Sequence, residues 1–537
     1  MLKAARNALC LSSDGIPSLS AVTVDITDEF VIERKKGVLK KMKKFSSIGL
    51  LSLLLLFMGC TSFNARRVSV SFERPEECQA FLNALDKKID RCGVRDAASV
   101  PVPGFPYLRA NRFVSYLKDN IHGGEEGEQW SRWMQNLDLE AREKEIDNLP
   151  EDVVSSFSLK PETTPTRRDL YAQAKSCSDR LFQHDQNRPD FYAVLKPLAD
   201  VPDEYSTAMR AVGLYPLVAI PVAVLTDRSR KRTQSWFEKS LEDLPVDGRL
   251  RSFIPPEAIR QNEEEIRAIL ESSRKNPLGI PLLDEGNAKK IVEQFAPVFI
   301  QDDAAPYDRI GRLVWKGNCP DVDQSKPTVY YYFSNAFLKG QPILQINYVI
   351  WYPERAGPRA PSIERGHLDG LTLRVSLDER GRPFMADVVN DCGCYHFFAP
   401  DRGRVARIIS KPLRFDPFVP QWLPDLLPDQ RLAVRLNSGW HQVQRVLAAK
   451  DFLEPTPYEL VPYGVLEALP REGGRTESIF NAKGIARCSK RIERFILFSM
   501  GIPRIGSMRQ RGHHAIELIG RAQFDDPTLF DESFVFK

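Results

Sequence analysis

Charge of one sign is the first thing this chain has little of. Its formal net charge is +4 over 537 residues, and part of the basic excess lies within the first 59 residues, so no nucleic-acid partner is implied. Long apolar runs are also missing. The run Ile48–Met58 spans eleven residues and is broken by Gly49 and Ser52. As a helix it reaches roughly 16 Å, against a bilayer core of about 30 Å, which argues against a spanning segment. There is no nucleophile elbow, no phosphate-binding P-loop, no His-Glu-x-x-His pair and no dinucleotide fingerprint. The signatures of several large enzyme classes are therefore absent. No internal repeat is visible. With 42% hydrophobic and 27% charged residues the composition is that of a folded globular protein, and the residues beyond position 59 suffice for two or three ordinary domains.

The short apolar run has a specific context. Lys43 and Lys44 precede it, and Phe57-Met58-Gly59-Cys60 followed by Thr61 ends it. A basic start, an apolar stretch of this length and a small residue before a cysteine resemble a bacterial lipoprotein signal. The family prefers Leu and a small residue where this chain has Phe57 and Met58. The resemblance implies that residues 42–59 are a signal peptide and that Cys60 is lipidated and becomes the mature N-terminus. With Thr61 rather than Asp after the cysteine, it implies anchorage in the outer membrane, facing the periplasm. Residues 1–41 then read as a start codon assigned too early, with translation beginning at Met42.

Nine cysteines are present. With Cys10 removed and Cys60 acylated, seven remain, so at least one is free, binds metal or pairs elsewhere. Cys78 and Cys92 lie on one helical stripe with Phe81, Leu82, Leu85 and Ile89. Their separation of about 21 Å along the axis forbids a mutual bond, leaving core thiols or more distant partners. Helical segments are read at 76–91, 129–149, 167–184 and 256–274, the last opened by Pro255-Pro256, with loops such as VPVPGFP at 100–106 between them. Ala211 to Thr226 (AVGLYPLVAIPVAVLT), followed by Arg228, Arg230, Lys231 and Arg232, carries two prolines. It reads either as a buried strand-turn or short helix, or as a segment contacting the membrane surface.

Beyond Gly286 the segments PVFIQ, RLVWKG, TVYYYFSNAFL, PILQINYVIWYP, LTLRVSLD and FMADVV are rich in Val, Ile, Tyr and Phe and are separated by turn residues. The resulting expectation is an α+β chain: a mainly helical domain (60–285), an antiparallel β-sandwich or partly closed barrel (286–400), and a mixed α/β extension (401–537). In 366–377, Leu371, Leu373, Val375 and Leu377 alternate with Thr372, Arg374 and Ser376, which reads as a half-buried strand. Its inward parity continues to Asp369 and His367. A hairpin about 379–383 places residue 371 opposite about 390, bringing Cys392, Cys394 and His396, which share one parity, toward 365–369. His367, Asp369, Cys392, Cys394 and His396 are thus candidate ligands for zinc or non-haem iron. The alternatives are a His367–Asp369 hydrogen bond pinning a turn, and a redox-active or structural Cys392/Cys394 pair. His-x-Asp resembles the element of 2-oxoglutarate-dependent iron oxygenases, which implies a second, distant histidine, for which His441 is the candidate. Two functions stand side by side: a non-catalytic binding or scaffold lipoprotein of the cell envelope with an unidentified protein partner, and a metal-dependent envelope enzyme.

Overall fold

Helices dominate before residue 240 and strands after it, as the periodicities require, in the computed structural model of the chain. It describes residues 72, 74–157, 164–257 and 260–537. The expected early start, the signal at 42–59 and the lipidated Cys60 lie outside the described residues. Three long helices, α1 (Pro75–Cys92), α2 (Gly124–Asp147) and α3 (Arg167–Gln186), pack around a hairpin formed by Val100–Val102 and Phe105–Ala110. The stripe Cys78, Phe81, Leu82, Leu85 and Ile89 is the buried face of α1, and Gly93, at φ 66°, ends the helix in the left-handed conformation. The stretch expected as a loop at 100–106 is instead the turn of that hairpin. Cys78 bonds Cys177 of α3 across a Cα separation of 4.9 Å, and Cys319 bonds Cys488. Cys92, Cys392 and Cys394 are free.

Residues 211–226 depart from the buried reading. They end α4 (Thr207–Val212) and begin α5 (Tyr215–Phe237), with Leu214 between them at φ 50°. Only Gly213 and Val222 of that stretch are buried. Pro216 sits in the first turn, where no N–H is needed, and Pro221 within the helix. The helix expected from 256 begins later, as α6 (Glu263–Ser273). The Asn262 side chain accepts from the Glu265 N–H and the Glu265 carboxylate accepts from the Asn262 N–H. That reciprocal cap satisfies two end donors, which a Pro-Pro start does not. Helix α7 (Glu285–Phe295) follows.

Eleven strands build the two main sheets: β1 (Arg249–Ile254), β2 (Val298–Asp303), β3 (Thr328–Leu338), β4 (Gln341–Arg355), β5 (Gly366–Leu377), β6 (Pro383–Asn390), β7 (Phe397–Pro400), β8 (Arg431–Leu436), β9 (Val443–Ala449), β10 (Pro455–Pro457) and β11 (Glu459–Pro462). The order β7-β6-β5-β4-β3-β11 is antiparallel except for the β3–β11 pair. The second sheet, β9-β8-β2-β1-β10, mixes parallel and antiparallel pairs. Neither closes into a barrel among the described residues. One core holds Phe253, Phe299, Val434 and Val446 of the second sheet with Tyr348, Ile350, Leu371, Leu373 and Val375 of the first. The 371–390 register is observed: Leu371 pairs with Asn390.

The half-buried reading of β5 is corrected, because both of its faces are covered. Its polar side lies beneath the C-terminal segment. There Arg374 pairs with Asp387 at 2.6 Å and donates to the Phe524 carbonyl, while Ser376 receives a bond from Gln345. Burial is tolerated because each polar group has a partner. In the same segment His513 is half-buried and His514 buried, His513 holding Glu204 at 2.7 Å. Residues 67–537 form one compact unit. Gln510 reaches Asp96 (2.7 Å) and Asn148 reaches the Glu467 carbonyl (2.8 Å), joining the helical layer to the C-terminal segment.

Thiol titration of denatured residues 67–537 is expected to give three reactive thiols before reduction and seven after it, from the two bonded pairs and three free cysteines. Removing the 78–177 bond with Cys78→Ser and Cys177→Ser is expected to lower the unfolding free energy by about 2–4 kcal/mol, measured by urea titration.

Candidate functional site

Where β4 leaves the first sheet, Tyr352 lies opposite Asp369 of β5, and the turn between β8 and β9 folds against both. Gly439 in that turn has φ 70°, and a Cβ there would lie 2.2 Å from the Ala356 carbonyl oxygen, so only glycine fits. His441 follows at φ 54°, an uncommon conformation for a side chain of its size. Several contacts hold it there. Asp308 accepts from the Ser438 hydroxyl (2.8 Å) and the Gly439 N–H (2.7 Å), and the His441 ring stacks on Tyr352 at 3.7 Å and 4°. His441 Nδ1 is 2.8 Å from Asp369 Oδ2, and its Nε2 is 3.4 Å from Asp308 Oδ1. Arg355 grips Asp369 through two bonds, 3.0 and 2.9 Å.

Arg355, Asp369, His441 and Asp308 are all essentially inaccessible to solvent. Burial works to raise the Asp369 carboxyl, but the Arg355 guanidinium and His441 hold it well below the usual carboxylate range. Burial likewise opposes a charged His441, but the flanking Asp308 and Asp369 raise it above its ordinary value. The cluster extends to Glu364, which accepts from Arg355 (2.8 Å), Trp440 Nε1 (2.9 Å) and the Tyr395 hydroxyl (2.6 Å).

Tyr395 belongs to the tight turn Asp391–His396 that carries the two free thiols. Gly393 at φ 87° packs so closely that a Cβ would meet the Ala515 carbonyl oxygen at 2.5 Å. The Asn390 carbonyl accepts from Gly393 N–H at 2.7 Å, and Asn390 N–H donates to Cys394 at 3.1 Å. A hydrogen bond from Cys394 and the charge of Arg355 pull the Cys392 thiol below its ordinary value, against the opposing effect of burial, while Cys394 is raised. Glu493 is pushed up to about 8 by burial and by the neighbouring Cys392 and Glu364.

This turn is one wall of a cavity of about 630 Å³, within the range of roughly 300–1,000 Å³ for small-molecule sites. Leu371, Val388, Phe397, Phe418 and Val443 line its apolar part; Cys392, Cys394, Glu364 and Glu493 make its polar corner. Helix α5 roofs it with Val222, Leu225, Ser229 and Thr233, and the opposite face of the same helix points outward. On that outer face Leu217 and Ile220 are 67% and 66% exposed, and the stripe turns basic at Arg228 and Lys231. Phe495, 68% exposed, and Ile496 add to the apolar surface, and the adjoining turn at Phe498–Met500 packs on α4 and α5.

The five candidate ligands have different partners. Leu368, at φ 56°, interrupts the expected alternation. His367 Nε2 lies 2.6 Å from the Pro320 carbonyl oxygen, whereas both Asp369 oxygens are occupied by Arg355 and His441. His396 bonds Asp387 at 3.0 Å, and the Cys394 thiol hydrogen-bonds Cys392, both remaining free thiols. No group of three or more His, Cys, Asp or Glu is arranged to hold a metal ion among the described residues. A carboxylate neutralised by arginine does not suit an incoming cation. Of the histidines, His441 is the one that meets Asp369. Asp308, Arg355, Glu364 and Glu493 were not legible beforehand; they sit in turns and strand ends, and no spacing pairs them. Tyr330, Tyr332, Trp351 and Tyr352 are core residues. No family model, curated protein or solved structure matches the chain.

The charge cluster sets a pH dependence. The depressed Asp369 contributes stability that is present above about pH 3.9, its unfolded value, and is lost as pH falls through the folded one. The raised His441 contributes stability that is complete below about pH 6.5 and is lost as pH rises through its folded value. Asp369→Asn is therefore expected to cost about 3–5 kcal/mol near pH 6, and the difference from the parent to narrow above pH 7. Urea titrations across pH 5–9 check this; a flat difference would mean an uncharged His441.

Proposed function

We propose that the chain is a lipid-anchored protein of the cell envelope that lies against a bilayer surface and binds an amphiphile, acyl chain inward, in the cavity beneath α5. The observation that carries this reading is that Leu225 and Ile496 line the cavity and also stand on the exposed apolar surface, 60% and 51% accessible. The cavity mouth and the apolar patch are thus one feature. A solvent-facing apolar stripe that turns basic along one helix suits insertion below anionic headgroups, with Arg228 and Lys231 at the phosphate level. No helix is long and apolar enough to cross a membrane among the described residues; this contact is with the surface.

The lipoprotein-like signal with Cys60 supplies the anchor, and the 78–177 and 319–488 disulfides suit an oxidising compartment such as the periplasm. We read the two sheets sharing one core as the halves of a sandwich, with the cavity at the open end beside β7 and β9. The role is binding or carriage of the amphiphile.

Residues 67–537 are expected to bind anionic phosphatidylglycerol vesicles, and Leu217→Asp with Ile220→Asp to weaken that binding at least tenfold, since each aliphatic side chain buried in the interface contributes roughly 1.5–3 kcal/mol. Ile516→Trp, which pushes a bulky ring into the cavity from its wall, is expected to weaken binding of a fluorescent fatty acid by a similar factor while leaving vesicle binding intact. Vesicle binding unaffected by the aspartates rules out the docking face. Probe binding unaffected by the tryptophan rules out the cavity.

A further inference from the structure

Two thiols that stay unpaired beside two long-range disulfides need an account. Cys392 and Cys394 line one end of a cavity whose wall is mostly apolar, with charged residues such as Arg414 and Glu517 elsewhere on it, and they lie two residues apart in a turn fixed by Gly393. The buried guanidiniums of Arg355, Arg491 and Arg509 are close enough for their charges to act on Cys392. Arg491 is held in place by the His367 and Leu368 carbonyls, and Arg509 by the Pro503 carbonyl at 2.6 Å. A thiolate at Cys392 is therefore stabilised at a place where an acyl chain has room to lie. Glu493 lines the same wall and keeps its proton at neutral pH, because burial and the charge of Cys392 oppose its ionisation. An activated sulfur, a second thiol within reach and a protonated acid in an apolar chamber are the parts needed for two-electron reduction of a peroxide.

We propose that Cys392, Cys394 and Glu493 form a centre that reduces a fatty acyl hydroperoxide held in the cavity. This rests on the amphiphile-binding reading of that cavity. The Cys392 thiolate attacks the terminal oxygen of the hydroperoxide, forming an S–O bond and breaking the O–O bond. The departing alkoxide takes the proton of Glu493, giving the acyl alcohol and a sulfenic acid on Cys392. Cys394 then attacks that sulfur. The S–O bond breaks, the hydroxide leaves as water with the Cys394 proton, and a 392–394 disulfide remains. Two thiols are oxidised and the hydroperoxide is reduced by two electrons.

The test is one turnover on residues 67–537, reduced mildly enough to leave 78–177 and 319–488 bonded, mixed with one equivalent of linoleic acid hydroperoxide. The expected result is one equivalent of hydroxy fatty acid, loss of two thiols, and a 392–394 disulfide in the peptide map with Cys92 unmodified. Cys394→Ser is expected to stop at a sulfenic acid that dimedone traps on Cys392. Glu493→Gln is expected to slow the first step on the order of 100-fold. Cys392→Ser is expected to abolish alcohol formation while retaining binding of a fluorescent fatty acid, which shows that the variant is folded. If the fatty acid binds but Cys392 oxidises no faster than Cys92, the inference is overturned and the binding reading stands. If no fatty acid binds, both fall. Oxidation by hydrogen peroxide as fast as by the acyl hydroperoxide overturns the acyl substrate class.

Discussion

Asp369 is the residue on which the two sheets agree. It belongs to β5 of the first sheet, yet its partners are Arg355 at the end of β4 and His441 in the β8–β9 turn of the second. A bare carboxylate at a fully buried position would be costly by several kcal/mol. Its charge persists because the Arg355 guanidinium and the His441 ring hold it, and those in turn meet Glu364 and Asp308. The ion cluster thus ties residues of both sheets together and fixes the sheet ends relative to each other. It also fixes the cavity, since Glu364 holds Tyr395 and Trp440, and the thiol turn hangs between them.

Around this fixed end the protein is built to leave a space. Apolar residues of β5, β6, β7 and β9 would normally pack on a covering helix. Helix α5 covers them only as a roof: its inner face carries Val222 and Leu225 beside the small polar Ser229 and Thr233, and its outer face remains apolar in water. An exposed stripe of large aliphatic residues marks a surface that meets something apolar. Basic residues at one end of the stripe are the complement of a headgroup layer. In the function proposed above, the cavity and the outer stripe form a single path from bilayer to cavity.

The strands were legible because their signals are local: TVYYYFSNAFL is β3 residue for residue, and the turn residues at 378–383 set the pairing of Leu371 with Asn390. Burial of the second face of β5 was not legible, because Arg374 and Thr372 find Asp387, Asp391 and the Phe524 carbonyl through contacts spanning up to 150 residues. Residues 211–226 were open to a buried reading because an apolar run looks the same whether it faces a core or a membrane. Parity brought His367 and Asp369 to one face on paper, and the left-handed Leu368 separates them. The two cysteines stand out in the sequence by their spacing alone, and the residues that give them a charged setting, Arg355, Arg491 and Glu493, lie far from them in sequence.

The central claim is that the space under α5 holds an amphiphile. Native mass spectrometry of the protein released from its own membranes tests it most directly, with organic extraction to identify what is bound. The account predicts about one non-covalently held acyl-chain molecule per protein, retained in Leu217→Asp and displaced by Ile516→Trp. Protein that carries no such molecule, or carries the same amount in the Ile516→Trp variant, would contradict it.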